Sequence, residues 1–314
     1  MPSKIARRQF LKTAAAGAIA GTALSTHLHA APQPQSAAAP DSTDPAKMPR
    51  LFAGCCAYSY RSLLTKGRMT YEQFIEKAVE LQLDGVDMTA YYFKSTDPAY
   101  LAHLRWFAYK RGMPFSGVAC GSSMVQTDPA KRAAILDEIK KWVDVTDQLG
   151  ASHLRVFAGK LPQGTSLKEA TGWVVETMKP ASDYSGAKGI VLGLEDHSGV
   201  SQSADVCLEI MHRVDSPYAR INLDITHFIP SPTQDAYAQI AACIPYATVT
   251  HVRDVFDNGT PIDMDRVWKL LAAAGHKGYM SVEYEGDNHG VPAEIGVPRL
   301  AAKVRELCRR YSTV

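Results

Sequence analysis

The sequence predicts an α/β protein folded as a single (β/α)8 TIM barrel. Three observations carry that prediction. Short apolar runs rich in Val, Ile and Phe recur along the chain, as buried parallel strands require. Helix-like stretches separate them, which is the alternation that builds a parallel sheet covered by helices. No glycine-rich phosphate turn follows the first run, where an open doubly wound sheet usually carries one; residues 55–61 read CCAYSYR. The barrel is assigned to residues 49–314, a length close to the ~250 residues typical of this architecture.

The eight strands are expected near 53–58, 84–88, 115–120, 153–158, 190–195, 220–225, 247–252 and 279–284. Between them, Tyr71 to Leu83 repeats apolar residues at three- and four-residue steps, the mark of a helix with one buried face. The stretches Ala130 to Leu149, Ala204 to Met211, Asp263 to Ala274 and Ala293 to Arg309 do the same. Thr70, Asp128 with Pro129, and Ser203 are placed to start helices, because their side chains can accept from free N–H groups of a first turn. Gly85, Gly112, Gly150, Gly189 and Gly278 each follow a helical run and are expected to cap its C-terminus.

The first 48 residues stand apart. Residues 4–12 read KIARRQFLK, an apolar small-residue stretch runs from Thr13 to Leu24, and Leu28-His29-Ala30 offers a processing site. These are the three parts of an export signal. The apolar stretch falls short of the ~20 residues that span a bilayer. Arg7-Arg8 followed by Gln-Phe-Leu-Lys resembles a twin-arginine signal, so residues 1–30 are read as that signal. It implies the twin-arginine export machinery as a partner and a periplasmic or secreted location. That route carries already folded proteins. No cysteine lies near the processing site, and no membrane anchor is expected after cleavage. Residues 31–48, rich in Ala, Pro and Ser, read as a disordered tether.

Residues 1–30 hold four basic side chains and no acid, so their removal takes the formal charge from +2 to −2. A near-neutral domain lacks the electrostatic footprint of a nucleic-acid binder. The six cysteines show no metal-finger spacing and are expected as buried free thiols.

Function is concentrated in the second half. LEDHSG at 194–199, NLDITHF at 222–228, THVRD at 250–254 and SVEYEG at 281–286 each close an apolar run. In a barrel of this kind the C-terminal strand ends build the site. Glu195, Asp224, His251 and Glu283 are therefore candidate metal ligands, one from each of the last four strands. Three carboxylates and an imidazole suit one divalent cation, of Mn2+, Mg2+, Co2+ or Zn2+ type. Alternation along a strand puts His251 with Arg253, and Glu283 with Glu285, on common faces.

The pattern resembles the xylose isomerase-like barrel superfamily of sugar isomerases, epimerases and keto-sugar lyases, which also contains endonuclease IV. The likeness covers residues 50–310 and is most specific in its second half. It implies that Glu195, Asp224, His251 and Glu283 hold the metal and that His227 and Arg253 contact substrate oxygens. It also implies that Glu195 and Glu283 exchange the proton of an enediolate-forming reaction on a small carbohydrate. Epimerisation, aldose–ketose isomerisation and β-elimination from a keto-glycoside share that intermediate, and residue types do not separate them. A homo-oligomer is a further implication, for which no surface patch is legible.

Other positions keep two readings. His197 is a substrate donor or a residue that orients a ligand. Arg253 alternatively pairs with Asp254 or a neighbouring carboxylate, and Arg155 faces the mouth or pairs with Glu195. Asp87 falls where the superfamily often has an acid, without a settled role. Asp196, Asp254 and Glu285 read as supporting or loop residues. Tyr58, Tyr60, Tyr91, Tyr92 and Phe93 form either an apolar wall for a sugar ring or ordinary packing. His153, His212, His276 and the helix tryptophans read as structural. Two rival functions are weaker. An endonuclease IV-type nuclease needs further histidines on strands two and three, where GVDMT and SGVACG have none. A non-catalytic sugar-binding barrel would tolerate a broken ligand set, and all four positions are filled.

Overall fold

The computed structural model describes residue 44 and residues 47–313. The expected signal, at 1–30, and most of the expected tether lie outside the described residues. Eight strands run through the chain: β1 (Arg50–Cys56), β2 (Gly85–Thr89), β3 (Phe115–Ser123), β4 (His153–Phe157), β5 (Val191–Glu195), β6 (Ala219–Asp224), β7 (Ala247–Val252) and β8 (Lys277–Val282). Each pairs in parallel with its sequence neighbour, and β1 pairs with β8, so the sheet closes into a barrel.

Helices α1 (Arg61–Thr65) and α2 (Tyr71–Glu80) follow β1, and α3 (Pro98–Tyr109) follows β2. Then α4 (Pro129–Leu149), α5 (Leu167–Gly186), α6 (Ala204–Val214), α7 (Ala236–Cys243) and α8 (Met264–Ala273) join successive strands, and α9 (Ala293–Tyr311) follows β8. The expected starts hold. Thr70 and Gln73 form a reciprocal capping box on α2, Asp128 accepts from Ala130 N–H, and Ser203 accepts from Val206 N–H. On α2 the buried residues Tyr71, Phe74, Ile75 and Ala78 fall on one face, packed toward the sheet. All six cysteines are buried and free. Among the described residues, no helix is long and apolar enough to cross a membrane.

Two of the expected glycine caps are strand residues instead. Gly150 caps α4 in the left-handed region, with φ 78°. Gly85 opens β2, and Gly278 lies in β8. The left-handed turn after α2 is made by Gln82 and the one after α8 by Gly275. The reason is spacing: a cap must come within a residue or two of the last helical turn, and Gly85 and Gly278 come later. Trp106 also departs from expectation, being 57% exposed on α3, whereas Trp268 is fully buried.

The barrel interior is unusually polar for this architecture, where branched aliphatics dominate. On β5, Leu192 and Leu194 alternate with Gly193 and Glu195, and Glu195 points inward to meet His251. Gly193 is required there. A Cβ at this position would lie 2.2 Å from His153 Nε2 and 3.3 Å from Asn222 Cβ. Omitting one side chain on β5 thus lets a buried histidine from β4 fill the layer beneath the mouth. The aliphatic residues face outward on this strand, where sheet and helices share the main apolar core.

Candidate metal centre

The strands deliver their last inward residues to one place. Glu195 ends β5, Asp224 ends β6, His251 is the penultimate residue of β7, and Glu283 follows β8. One donor atom from each lies within 4.8 Å of all the others, and all four side chains are buried. Two bonds of ~2.1 Å to a shared ion span nearly that distance. His251 Nδ1 stands 3.0 Å from Glu195 Oε1 and 3.4 Å from Glu283 Oε1.

Around this group the polar contacts are specific. Arg155 on β4 places Nη1 3.2 Å from Glu195 Oε2, and its guanidinium lies 3.9 Å from the centroid of the Phe157 ring. Arg155 thus takes both of its readings, paired with Glu195 and lining the mouth. Asp224 Oδ1 accepts from Thr226 N–H and Oγ1–H, at 2.8 and 2.6 Å. Its other oxygen faces Arg253 Nη2 at 3.2 Å and His227 Nε2 at 3.6 Å. The Asp196 carboxylate accepts from Asp224 N–H at 2.7 Å, and its carbonyl accepts from His227 Nδ1. Asp196 therefore braces β6 from the end of β5, the supporting one of its two readings.

Electrostatics sort these groups. Burial opposes ionising Glu195, but the Arg155 guanidinium and His251 outweigh it and hold its pKa at about 2. Asp224 is likewise pulled below the carboxylate range, against burial, by Arg253 and His227. Asp196 moves the other way, because burial and the neighbouring Asp224 charge both favour its neutral form. His251 should lose its proton on burial, yet Glu283, Asp87 and Glu195 raise its pKa well above the imidazole range.

These shifts show what the donor set fits. With buried Asp196 neutral, Asp87, Glu195, Asp224 and Glu283 are four buried carboxylates against two buried guanidiniums, Arg155 and Arg253. With neutral imidazoles the pocket carries two negative charges in excess, and protonated His251 offsets one of them. A divalent cation balances both, and the four donor atoms lie close enough together to share it. The residues fit such an ion.

A cavity of about 270 Å3 opens onto this centre, lined by Tyr58, Tyr91, Arg155, Phe157, His197 and His227 together with Glu195, Glu283 and Glu285. His197 packs edge-on against both Phe157 and His227. Of the aromatic residues with two readings, a wall at the mouth or ordinary packing, Tyr58 and Tyr91 line the cavity. Tyr60 is buried against Phe74, and Phe93 packs on Tyr71 and Trp142. Arg253 pairs with neighbouring carboxylates, Asp224 and, at 2.9 Å, Asp257, rather than with Asp254, which is exposed. Asp257 escaped notice because it lies in the loop after β7, where no periodicity marks direction. A wider cleft of about 860 Å3 runs between the loops after β7 and β8 and α9. Arg253, Phe256, Asp257, Arg299 and Lys303 line it, and Glu285 lines both it and the smaller cavity.

A family profile described as the xylose isomerase-like TIM barrel matches residues 75–310. A search of curated proteins gave no match. Among solved structures, an IOLI protein with a bound zinc atom superposes with a TM-score of 0.68 at 15% identity, over 84% of this chain and 100% of that one. D-psicose 3-epimerase from Clostridium cellulolyticum H10, solved with D-tagatose, gives 0.66 at 15% identity over 83% and 99%. AsbF from Bacillus anthracis, a probable 3-DHS dehydratase, gives 0.62 at 14% identity over 82% and 98%. At these identities the likeness to solved structures is one of fold.

Proposed function

Because the chain belongs to the xylose isomerase-like TIM barrel family, we propose that it is a divalent-metal-dependent sugar isomerase or epimerase working through an enediolate. The observation that carries this reading is the convergence of Glu195, Asp224, His251 and Glu283 on one buried point beneath a polar cavity. In this reading the four hold a single cation of Mn2+, Mg2+, Co2+ or Zn2+ type. Held by these residues, such an ion would supply Lewis-acid polarisation of a carbonyl and its neighbouring hydroxyl and would stabilise the charge that develops as the C–H proton leaves.

The side chains supply the remaining steps. Glu195, kept ionised by Arg155, and Glu283 remove and return the proton. Return to the opposite face of the same carbon gives an epimer, and return to the adjacent carbon gives an isomer. His227 and His197, on the cavity wall, hydrogen-bond the sugar oxygens, while Arg253, which lines the wider cleft, pairs with Asp224 and holds it in place. Tyr58 and Tyr91 give the sugar ring an apolar edge. Export through the twin-arginine pathway belongs to the same proposal and favours free or linked sugars as substrates.

One observation favours a second reading, β-elimination from a keto-glycoside. The 270 Å3 cavity lies near the small end of ligand sites, which run from about 300 to 1,000 Å3. Glu285 lines both this cavity and the 860 Å3 cleft, which in this reading would house a glycosidic substituent acting as leaving group.

Elemental analysis of wild type and Glu283→Gln, followed by NMR of keto-sugars incubated in D2O, tests both readings. About one divalent ion per chain, reduced in the variant, with deuterium entering a carbon beside a carbonyl supports enediolate chemistry. The product then separates isomer, epimer and eliminated sugar. Absence of metal after reconstitution would refute the proposal and leave a sugar-binding barrel.

A further inference from the structure

Asp87 sits on β2 inside the barrel, 2% exposed, and neither carboxylate oxygen has a hydrogen-bond partner. A buried acid left in that state is costly, and the reaction outlined above makes no use of it. What it faces is His251, whose Nε2 stands 3.7 Å from Asp87 Oδ1. The other ring nitrogen, Nδ1, faces Glu195 and Glu283 at 3.0 and 3.4 Å. The two nitrogens of one imidazole thus look in different directions, one into the cluster of candidate ligands and one at an acid outside it.

A ring nitrogen binds a cation only through an unprotonated lone pair. Nδ1 can serve only in the tautomer that carries its proton on Nε2, and in a dry interior that N–H needs an acceptor. We propose that Asp87 is a positioning residue of the metal centre: it accepts a hydrogen bond from His251 Nε2–H and so fixes the tautomer and ring plane that present Nδ1 to the cation. This rests on the metal-centre reading above. The 3.7 Å contact becomes a hydrogen bond with about 0.7 Å of closure. Ser281 Oγ, also buried and unpartnered, is a second donor for the same carboxylate.

The rival arrangement is a second cation held by Cys56, Asp87 and His251, whose donor atoms also lie within 4.8 Å of one another. It would require His251 to bridge two ions and Cys56 to be a thiolate. Cys56 Sγ instead stands as a thiol between Thr89 Oγ1, at 3.7 Å, and Glu283 Oε1, at 3.8 Å.

The test is calorimetric titration of chelator-treated wild type, Asp87→Ala and Asp87→Asn with Zn2+, combined with NMR of the histidine ring nitrogens in the zinc-loaded, 15N-labelled protein. Thermal melts in chelator establish that each variant is folded. The proposal expects wild-type His251 to ligate through Nδ1 with its proton on Nε2. It expects Asp87→Ala to bind zinc about 10- to 100-fold more weakly and Asp87→Asn, which keeps an acceptor, to recover part of the loss. A residue important only for folding would lower the melting temperature and leave zinc affinity unchanged. Equal affinities in all three proteins, or ligation through Nε2, overturn the role of Asp87 and leave the metal centre standing. Two ions per chain, one lost in Cys56→Ser, overturn it as well, since Asp87 would then be a ligand. If Asp87→Ala does not fold, the wild-type tautomer and the Asn variant still decide. No zinc binding by wild type removes the metal-centre reading and this inference together.

Discussion

Replacing Arg155 with methionine removes a buried charge and leaves its partner behind. Arg155 Nη1 lies 3.2 Å from Glu195 Oε2, with both side chains almost wholly buried. Deleting one member of such a pair costs about 3–5 kcal/mol, because the remaining charge stays desolvated without compensation. The lost stacking on Phe157 adds about 0.5–1 kcal/mol. Against this, Glu195 keeps His251 at 3.0 Å on its other oxygen, so the lower end, about 3 kcal/mol at pH 7, is expected.

The loss should also depend on pH. In wild type Glu195 is held at about 2, below its unfolded value near 4.5, so its contribution is complete above 4.5 and lost as pH falls toward 2. Without Arg155, burial weighs more heavily, the folded-state pKa rises, and acid penalises the variant less. The gap between the two proteins should therefore narrow from pH 7 to pH 4. Urea unfolding of chelator-treated protein at both pH values measures it. A difference below ~1 kcal/mol at pH 7, or one that does not change with pH, would refute the assignment of Arg155 as the group that ionises Glu195.

Two further outcomes are expected. Burial holds His153 neutral with a pKa of about 3, and burial with Lys277 nearby holds His276 at about 4. The unfolded chain takes up these protons below ~6.5 and the folded chain does not, so stability falls as pH drops from 6.5 toward 4. His276→Asn should lose about 2 kcal/mol less than wild type between pH 7 and pH 5 in urea melts, and an equal loss would count against a neutral buried His276. Changing Arg7-Arg8 to Lys-Lys should leave unprocessed precursor in the cytoplasm, read by fractionation and mass spectrometry; normal processing would set aside the twin-arginine reading.

The sequence by itself determined the strand–helix alternation and the four converging side chains. Strand ends are local events: an apolar run stops, polar residues begin, and the period of two assigns each residue a face. Glu195, Asp224, His251 and Glu283 were legible because each closes such a run and because barrel closure aligns all the ends. Where local spacing alone was used, it misplaced Gly85 and Gly278 as caps, since a glycine before a strand serves equally well inside it.

Only the tertiary structure decided which groups face one another across the barrel. Asp87 and His251 are far apart in the chain, and strands β2 and β7 are not neighbours in the sheet, so no spacing rule joins them. The pairing of Arg253 with Asp257 rather than Asp254, and the place of Glu285 on the walls of both cavity and cleft, depend on loop paths that carry no periodic signal. Periodicity records which side of its own element a residue occupies. Contact across the barrel depends on closure, register and loop path, which arise only when all eight strands are in place.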